Sequence, residues 1–115
     1  MATFAGVNPF KSLDLDETEE QIKATPGKVF GWMVHNTNAA LRYLKFYNET
    51  AATVVVGTTV PVMTIPLLAT NHQSFSIPVG IKFDTAITVA ATTGLADNDT
   101  GAPGAHEVIV NVFYE

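Results

Sequence analysis

The chain has no cysteine among its 115 residues. A disulfide framework, a thiolate zinc site and a cysteine nucleophile are therefore excluded. A single domain of this length buries about two-thirds of the surface that its unfolded chain exposes. We therefore expect one domain whose stability comes from one hydrophobic core.

Charge is also scarce, and basic charge most of all. Only 15% of the residues are charged, with 6 Lys and Arg against 11 Asp and Glu, which leaves a net charge of −5. This balance argues against electrostatic capture of nucleic acid or anionic lipid. No run approaches the roughly 18 apolar residues of a membrane-spanning helix, and the first residues lack a basic region followed by an apolar one. The sequence thus predicts a soluble protein with no nucleic-acid partner and no membrane partner.

Short stretches in which apolar and polar residues alternate are abundant, and this is the pattern of half-buried strands. Between Lys28 and Asn36, the large side chains of Phe30, Trp32 and Val34 share one face, which predicts a central strand. Similar stretches predict further strands at residues 21–25, 42–48, 60–68, 73–77, 81–83, 85–91 and 107–114.

Turn and proline residues position some of these strands. Pro26 and Gly27 suit the two central positions of a type II turn, which predicts a hairpin between residues 21–25 and the central strand. Pro61 and Pro66 cannot donate a hydrogen bond to a sheet, so the strand at 60–68 is expected at an edge or with a break.

Evenly spaced short strands punctuated by Gly, Pro and Asn are typical of an all-β sandwich or barrel. We predict a single-domain antiparallel β-sandwich, a jelly roll of about eight strands, because that arrangement limits the number of free sheet edges. The predicted core consists of Phe30, Trp32, Val34, Leu44, Phe46, Ile65, Phe75, Ile87, Val89, Val108, Val110 and Val112.

The first residues differ from the rest of the chain. Gly6, Asn8 and Pro9 interrupt regular structure, which predicts a flexible N-terminal arm at residues 1–12 before a sandwich domain at 13–115. At residues 14–24 a capping-box spacing allows a short helix, but the alternating pattern around Leu15 favours extended chain.

The arm keeps three apolar side chains and is followed by five carboxylates within seven residues. A solvated edge is the simplest interpretation of such an acidic cluster. We predict that apolar anchors of the arm dock on a partner, while the carboxylates meet a basic rim. The alternative is that the arm folds back over its own sheet edge. The predicted contact residues are Phe4, Val7, Phe10, Asp14, Asp16, Glu17, Glu19 and Glu20.

No pattern in the sequence predicts catalysis, and we assign no catalytic, cofactor-binding or metal-binding residue. The three histidines, His35, His72 and His106, are far apart and match no metal-binding spacing. The loop with Asp97 and Asp99 loosely resembles a calcium loop but lacks the downstream glutamate, so a polar turn is preferred. The serines have no nucleophile-elbow context, and the sequence predicts a protein that is not an enzyme.

Six stretches resemble framework segments of small structural proteins of tailed-bacteriophage virions. They are KVFGW at 28–32, RYLKFYN at 42–48, TIPL at 64–67, GIKF at 80–83, AATTGLADNDT at 90–100 and VIVNVFY at 108–114. The similarity spans nearly the whole chain from about Ser12. These motifs are strands and turns, so no functional residue is carried over from the family.

The resemblance implies a virion-associated β-sandwich that acts as a capsid decoration, or cement, protein. On this interpretation the protein is made in the host cytoplasm and located on the capsid surface. Its partners would be the major capsid protein and other copies of itself, in a homotrimer on a local symmetry axis. The alternative is a carbohydrate- or receptor-binding module of a phage tail or fibre.

Overall fold

The computed structural model describes residues 5–115, which contain eight β-strands and no helix. The strands form two four-stranded antiparallel sheets: sheet A in the order β1-β8-β3-β6 and sheet B in the order β2-β7-β4-β5. The predicted all-β sandwich is confirmed. The strands are β1 (Asn8–Ser12), β2 (Glu20–Lys23), β3 (Gly27–Asn36), β4 (Arg42–Tyr47), β5 (Met63–Leu67), β6 (Asn71–Phe83), β7 (Ile87–Thr92) and β8 (Val108–Tyr114).

Strand pairing follows a nested pattern. The pairs are β1 with β8, β2 with β7, β3 with β6 and β4 with β5, so the chain forms a long double ribbon whose successive pairs lie in alternate sheets. The predicted hairpin between residues 21–25 and β3 is therefore wrong. Both sides of β3 are occupied by β6 and β8, and residues 24–26 instead carry the chain from sheet B to sheet A.

The core between the sheets comes from strand alternation, as predicted. At its centre the ring of Phe46 lies 5.7 Å from that of Trp32 and 6.1 Å from that of Phe83, centroid to centroid. Nine of the predicted core residues are buried: Trp32, Val34, Leu44, Phe46, Ile87, Val89, Val108, Val110 and Val112.

Three predicted core residues are not buried, and one of them has a clear backbone cause. A bulge between Val29 and Gly31 interrupts the pairing of β3 with both neighbours. The extra residue shifts the alternation of inward and outward side chains along β3 by one position. Before the bulge it is therefore Val29 that is fully buried, and Phe30 is half-buried. Ile65 is half-buried against the core, and Phe75, on the edge strand β6, remains 56% exposed.

The proline-containing strands lie at sheet edges. β5, with Pro66, ends sheet B, which confirms the edge position predicted for residues 60–68. β6 ends sheet A and continues through Pro78 for 13 residues, so the two strands predicted at 73–77 and 81–83 are one. An edge strand tolerates proline because one side of its backbone has no partner in the sheet.

The N-terminal region contributes a strand that sequence patterning missed. Residues 8–12 of the predicted arm form β1, which pairs with β8 along its whole length at the other edge of sheet A. This is the fold-back alternative for that part of the arm. Residues 14–24 form no helix: the favoured extended chain is present as β2 (Glu20–Lys23), residues 14, 17, 18 and 24 are bends, and Leu15 and Ile22 are buried in the core.

Candidate interaction surface

The two sheets differ in what covers their outer surfaces. On sheet A the outward side chains of β3, β6 and β8 are exposed or half-buried, and we call this surface the open face. Met33 lies between Ser74 of β6 and Asn111 of β8, and the next row places His35 between His72 and Ile109. The open face is defined by these residues: Met33, His35, His72, Ser74, Ile109 and Asn111.

The open face is shallowly concave and carries no negative charge. A depression of about 240 Å³ lies over it, and none of its lining residues is acidic. The row through Met33 and Asn111 continues onto β1 at Lys11, whose backbone is paired with that of Asn111. The surface is thus neutral to weakly basic on a chain whose net charge is −5.

The outer surface of sheet B is covered by two connections of the chain. Tyr47 and Ala90 are fully buried there under Val54, which belongs to the connection between β4 and β5. The Nζ of Lys45 donates a 2.6 Å hydrogen bond to the carbonyl oxygen of Ala96, which belongs to the connection between β7 and β8. Both faces of β4 are therefore buried, which agrees with the alternation of apolar residues on both sides of this strand.

Burial of two polar side chains under these connections shifts their pKa values. Desolvation lowers the pKa of the Lys45 ammonium below 10.5, and the nearby carboxylates of Asp99 and Asp97 oppose this shift. Desolvation raises the pKa of the Tyr47 hydroxyl above 10.0, and the charges of Asp97 and Glu19 add to that rise. The Tyr47 hydroxyl oxygen is buried and has no hydrogen-bond partner within residues 5–115.

One end of the sandwich is held by a hydrogen-bonded ion pair. The Nε of Arg42 donates to the Oε2 of Glu107 at 2.9 Å, and the Nδ2 of Asn38 donates to Oε1 at 2.7 Å. The hydrogen bond from Arg42 is the main reason that the pKa of Glu107 lies below 4.5, and a backbone hydrogen bond from Gly104 lowers it further. These bonds join the β3–β4 connection and the first residue of β4 to the residue just before β8.

Two of the predicted partner-contact residues in the arm are described. Val7 is 44% exposed just before β1, whereas Phe10 is half-buried and packs against the core. Phe4 lies outside the described residues.

The acidic stretch is largely bonded to its own chain. Oδ1 of Asp14 accepts a hydrogen bond from the backbone N–H of His106 at 2.8 Å, and Oδ1 of Asp16 accepts one from the N–H of Thr18 at 2.9 Å. Oε2 of Glu20 accepts a 2.8 Å bond from the Ser12 hydroxyl. The other two carboxylates, of Glu17 and Glu19, belong to half-buried residues. Oε2 of Glu17 is buried and has no hydrogen-bond partner within residues 5–115, and the charge of Glu19 contributes to the raised pKa of Tyr47.

The loop considered for calcium has the geometry of a polar turn. Oδ1 of Asp99 accepts hydrogen bonds from the N–H groups of Gly94 at 3.1 Å and Gly101 at 2.8 Å, while Asp97 is exposed. Within residues 5–115, no three histidine, aspartate or glutamate side chains are grouped so that they could hold a metal ion.

Two of the three histidines meet in the fold. His35 and His72 are directly opposite each other on β3 and β6, with ring centroids 6.1 Å apart. His106 is elsewhere, with its Nδ1 3.1 Å from the carbonyl oxygen of Leu13. A search for metal-binding motifs of fixed sequence spacing could not find this pair, because 36 residues separate the two histidines in sequence. Only the pairing register of β3 and β6 places them opposite each other.

Comparison with known proteins adds no relative. No protein-family model matches the chain, and neither a curated protein nor a solved structure is significantly similar to it. In the part of the chain that the structure describes, no helix could cross a membrane.

Proposed function

We propose that this protein is a non-enzymatic structural protein of a tailed-bacteriophage virion, a capsid decoration protein that binds the outer capsid surface as a homotrimer and stabilises the head. The observation that carries the proposal is the asymmetry of the sandwich. One sheet is covered by the chain's own connections, whereas within residues 5–115 the outward side chains of β3, β6 and β8 on the other sheet are exposed or half-buried. The kind of particle, a tailed-bacteriophage virion, is inferred from the resemblance of the six framework segments to small structural proteins of such virions.

The strand order supports the same proposal. Pairing of β1 with β8, β2 with β7, β3 with β6 and β4 with β5, in alternate sheets, is the arrangement of a jelly roll made by rolling up one long ribbon. We interpret the fold in this way. The jelly roll is frequent among capsid and lectin domains, and its two flat sheets suit packing in many copies.

The size of the open face indicates how much of the contact it provides. Three strands about 4.8 Å apart and about seven residues long at 3.4 Å each span roughly 340 Å². A standard interface buries about 800 Å² on each partner. The open face thus provides less than half of such a contact, and we assign the rest to the N-terminal segment before β1 and to the acidic stretch that follows it.

Copy number is the first test. Purified particles of the phage that encodes this chain are analysed by quantitative gel electrophoresis. The proposal predicts hundreds of copies per particle, whereas a few tens would favour the receptor- or carbohydrate-binding module of a tail or fibre. Complete absence of the protein from purified particles would overturn both.

A pair of matched variants tests the contact surface itself. Met33 on the open face and Leu95 on the connection that covers sheet B are exposed to similar extents, 53% and 61%. We expect Met33→Glu to bind particles lacking the protein at least tenfold more weakly, because it places a charge in the contact, and Leu95→Glu to bind normally. Equal binding by the two variants would rule out the open face as the contact.

The contribution of the N-terminal segment has its own variant. Val7→Asp places a charge on an exposed side chain just before β1, so the fold should be kept while particle binding weakens. Unchanged binding at an unchanged melting temperature would remove this segment from the contact.

A further inference from the structure

We propose that His35 and His72 form a binding site for a divalent transition-metal ion, with Cu²⁺ preferred to Ni²⁺ and Zn²⁺. The two residues occupy directly opposed positions on neighbouring antiparallel strands. Their side chains are exposed on the open face, and their rings stand nearly perpendicular, at 87°. This inference does not depend on the proposed role in a virion.

The separation of the rings is close to what shared coordination requires. An imidazole nitrogen binds zinc at about 2.0–2.1 Å, so each ring centroid would lie about 3 Å from the metal. The two centroids would be about 5 Å apart in tetrahedral geometry and about 4 Å apart at adjacent positions of the square-planar geometry that Cu²⁺ prefers. The observed separation is 6.1 Å. Rotation of the two exposed side chains about their own torsions can close the difference of about 1–2 Å. The paired strands already hold the backbone in place.

The ligands of the pair favour divalent ions of intermediate softness. Imidazole suits Cu²⁺, Ni²⁺ and Zn²⁺. No acidic residue lines the depression, so Mg²⁺ and Ca²⁺, which require several oxygen ligands, are not favoured. Imidazole sites follow the order in which Cu²⁺ binds more tightly than Ni²⁺ or Zn²⁺.

Two protein ligands leave coordination positions for water or for a group from outside the molecule. Within residues 5–115 no third histidine or carboxylate joins the pair. We therefore expect the ion to exchange freely, in contrast to a structural zinc site that is closed by four protein ligands.

Isothermal titration calorimetry of the untagged full-length protein tests the proposal, with Cu²⁺, Ni²⁺, Zn²⁺, Mg²⁺ and Ca²⁺ each added in a buffer that does not chelate metals. One ion should bind per chain, tightest for Cu²⁺, with no measurable heat for Mg²⁺ or Ca²⁺. His35→Asn and His72→Asn should each lower the affinity for Ni²⁺ and Cu²⁺ by at least about tenfold. Removing a residue that only hydrogen-bonds to a metal ligand already lowers metal affinity by about tenfold or more, and removing the ligand itself should cost at least as much.

The matched control is His106→Asn. His106 is also exposed but lies apart from the pair, and asparagine tolerates its positive φ of 57°. This variant should bind metal as the parent does. Parent-like affinity in both His35→Asn and His72→Asn would overturn the proposal, as would an equal loss in His106→Asn.

Nuclear magnetic resonance of the parent protein gives a readout that does not depend on variants. Substoichiometric paramagnetic Ni²⁺ or Cu²⁺ should broaden the signals of His35, His72 and their neighbours on β3 and β6. Broadening centred on the acidic stretch or on the N-terminal residues instead would overturn the assignment.

Discussion

Gly31 of β3 lies close against the backbone of β6, and replacing it by alanine tests the packing in sheet A. A Cβ at this position would lie 2.4 Å from the backbone oxygen of Phe75 and 3.1 Å from the Cα of Ser76. Both obstacles are backbone atoms of the neighbouring strand, so no side-chain rotation can remove the clash. The strands must separate by about 1 Å to reach an ordinary contact of about 3.5 Å.

The expected cost follows from two contributions. Forcing backbone apart in a packed region costs about 1–3 kcal/mol, and weakening one β3–β6 hydrogen bond adds about 1 kcal/mol. We expect Gly31→Ala to lower the free energy of unfolding by about 2–4 kcal/mol. At about 4 °C for each kcal/mol, this corresponds to a loss of roughly 8–16 °C in Tm.

Gly6→Ala is the matched control, since Gly6 has nearly the same φ as Gly31, 155° against 158°, and no atom of the described residues lies within 4 Å of its added Cβ. Any cost of the backbone conformation is therefore common to both variants, and only crowding differs. Urea denaturation measures the two free energies. If Gly31→Ala lies within about 0.5 kcal/mol of Gly6→Ala, the close approach of β3 to β6 is wrong.

Trp32→Ala should lower the free energy of unfolding by about 3–5 kcal/mol, because the indole is 7% exposed and packs between the rings of Phe46 and Phe75. Met33→Ala on the same strand should lower it far less, because Met33 is exposed. Nearly equal denaturation midpoints for the two variants would refute the burial of Trp32. Tyr47→Phe should raise the free energy of unfolding by about 1 kcal/mol, because it removes a buried hydroxyl without a partner, and a measured loss would mean that the hydroxyl is bonded. Because the pKa of Glu107 is lowered in the folded protein, its carboxylate stabilises the fold above pH 4.5, and this contribution disappears as the pH falls through the folded pKa. Urea denaturation at several pH values from about 6 to 2.5 should therefore show a smaller decrease in the free energy of unfolding for Glu107→Gln than for the parent.

Strand positions and the inward face were predictable wherever one strand had a simple alternating pattern. Val108, Val110 and Val112 share one face of β8 and are fully buried, whereas Ile109, Asn111 and Phe113 on the other face are half-buried. The pattern identified them because successive side chains of a strand point to opposite faces whatever its partners are. The edge position of β5 followed in the same local way, from proline's missing N–H.

The errors arise where a partner strand decides the outcome. Residues 8–12 become a strand only by pairing with β8, so their own sequence resembled a tail. Phe30 was assigned to the core because alternation was continued through a bulge that exists only in the pairing of β3 with β6 and β8. The type II turn predicted at Pro26 and Gly27 is also wrong, because Gly27 has no positive φ and is already the first residue of β3, so residues 24–26 lead into the opposite sheet.

The composition and the local patterns of this chain thus determined a cysteine-free, weakly charged β-sandwich with most of its core, since these depend on each residue and its near neighbours. Tertiary structure alone decided which sheet face stays open and which is covered, because that depends on where the connections of residues 48–62 and 93–107 pack. It also decided that His35 and His72 are opposed. Register between strands distant in sequence is a property of the assembled sheet, and no segment carries it by itself.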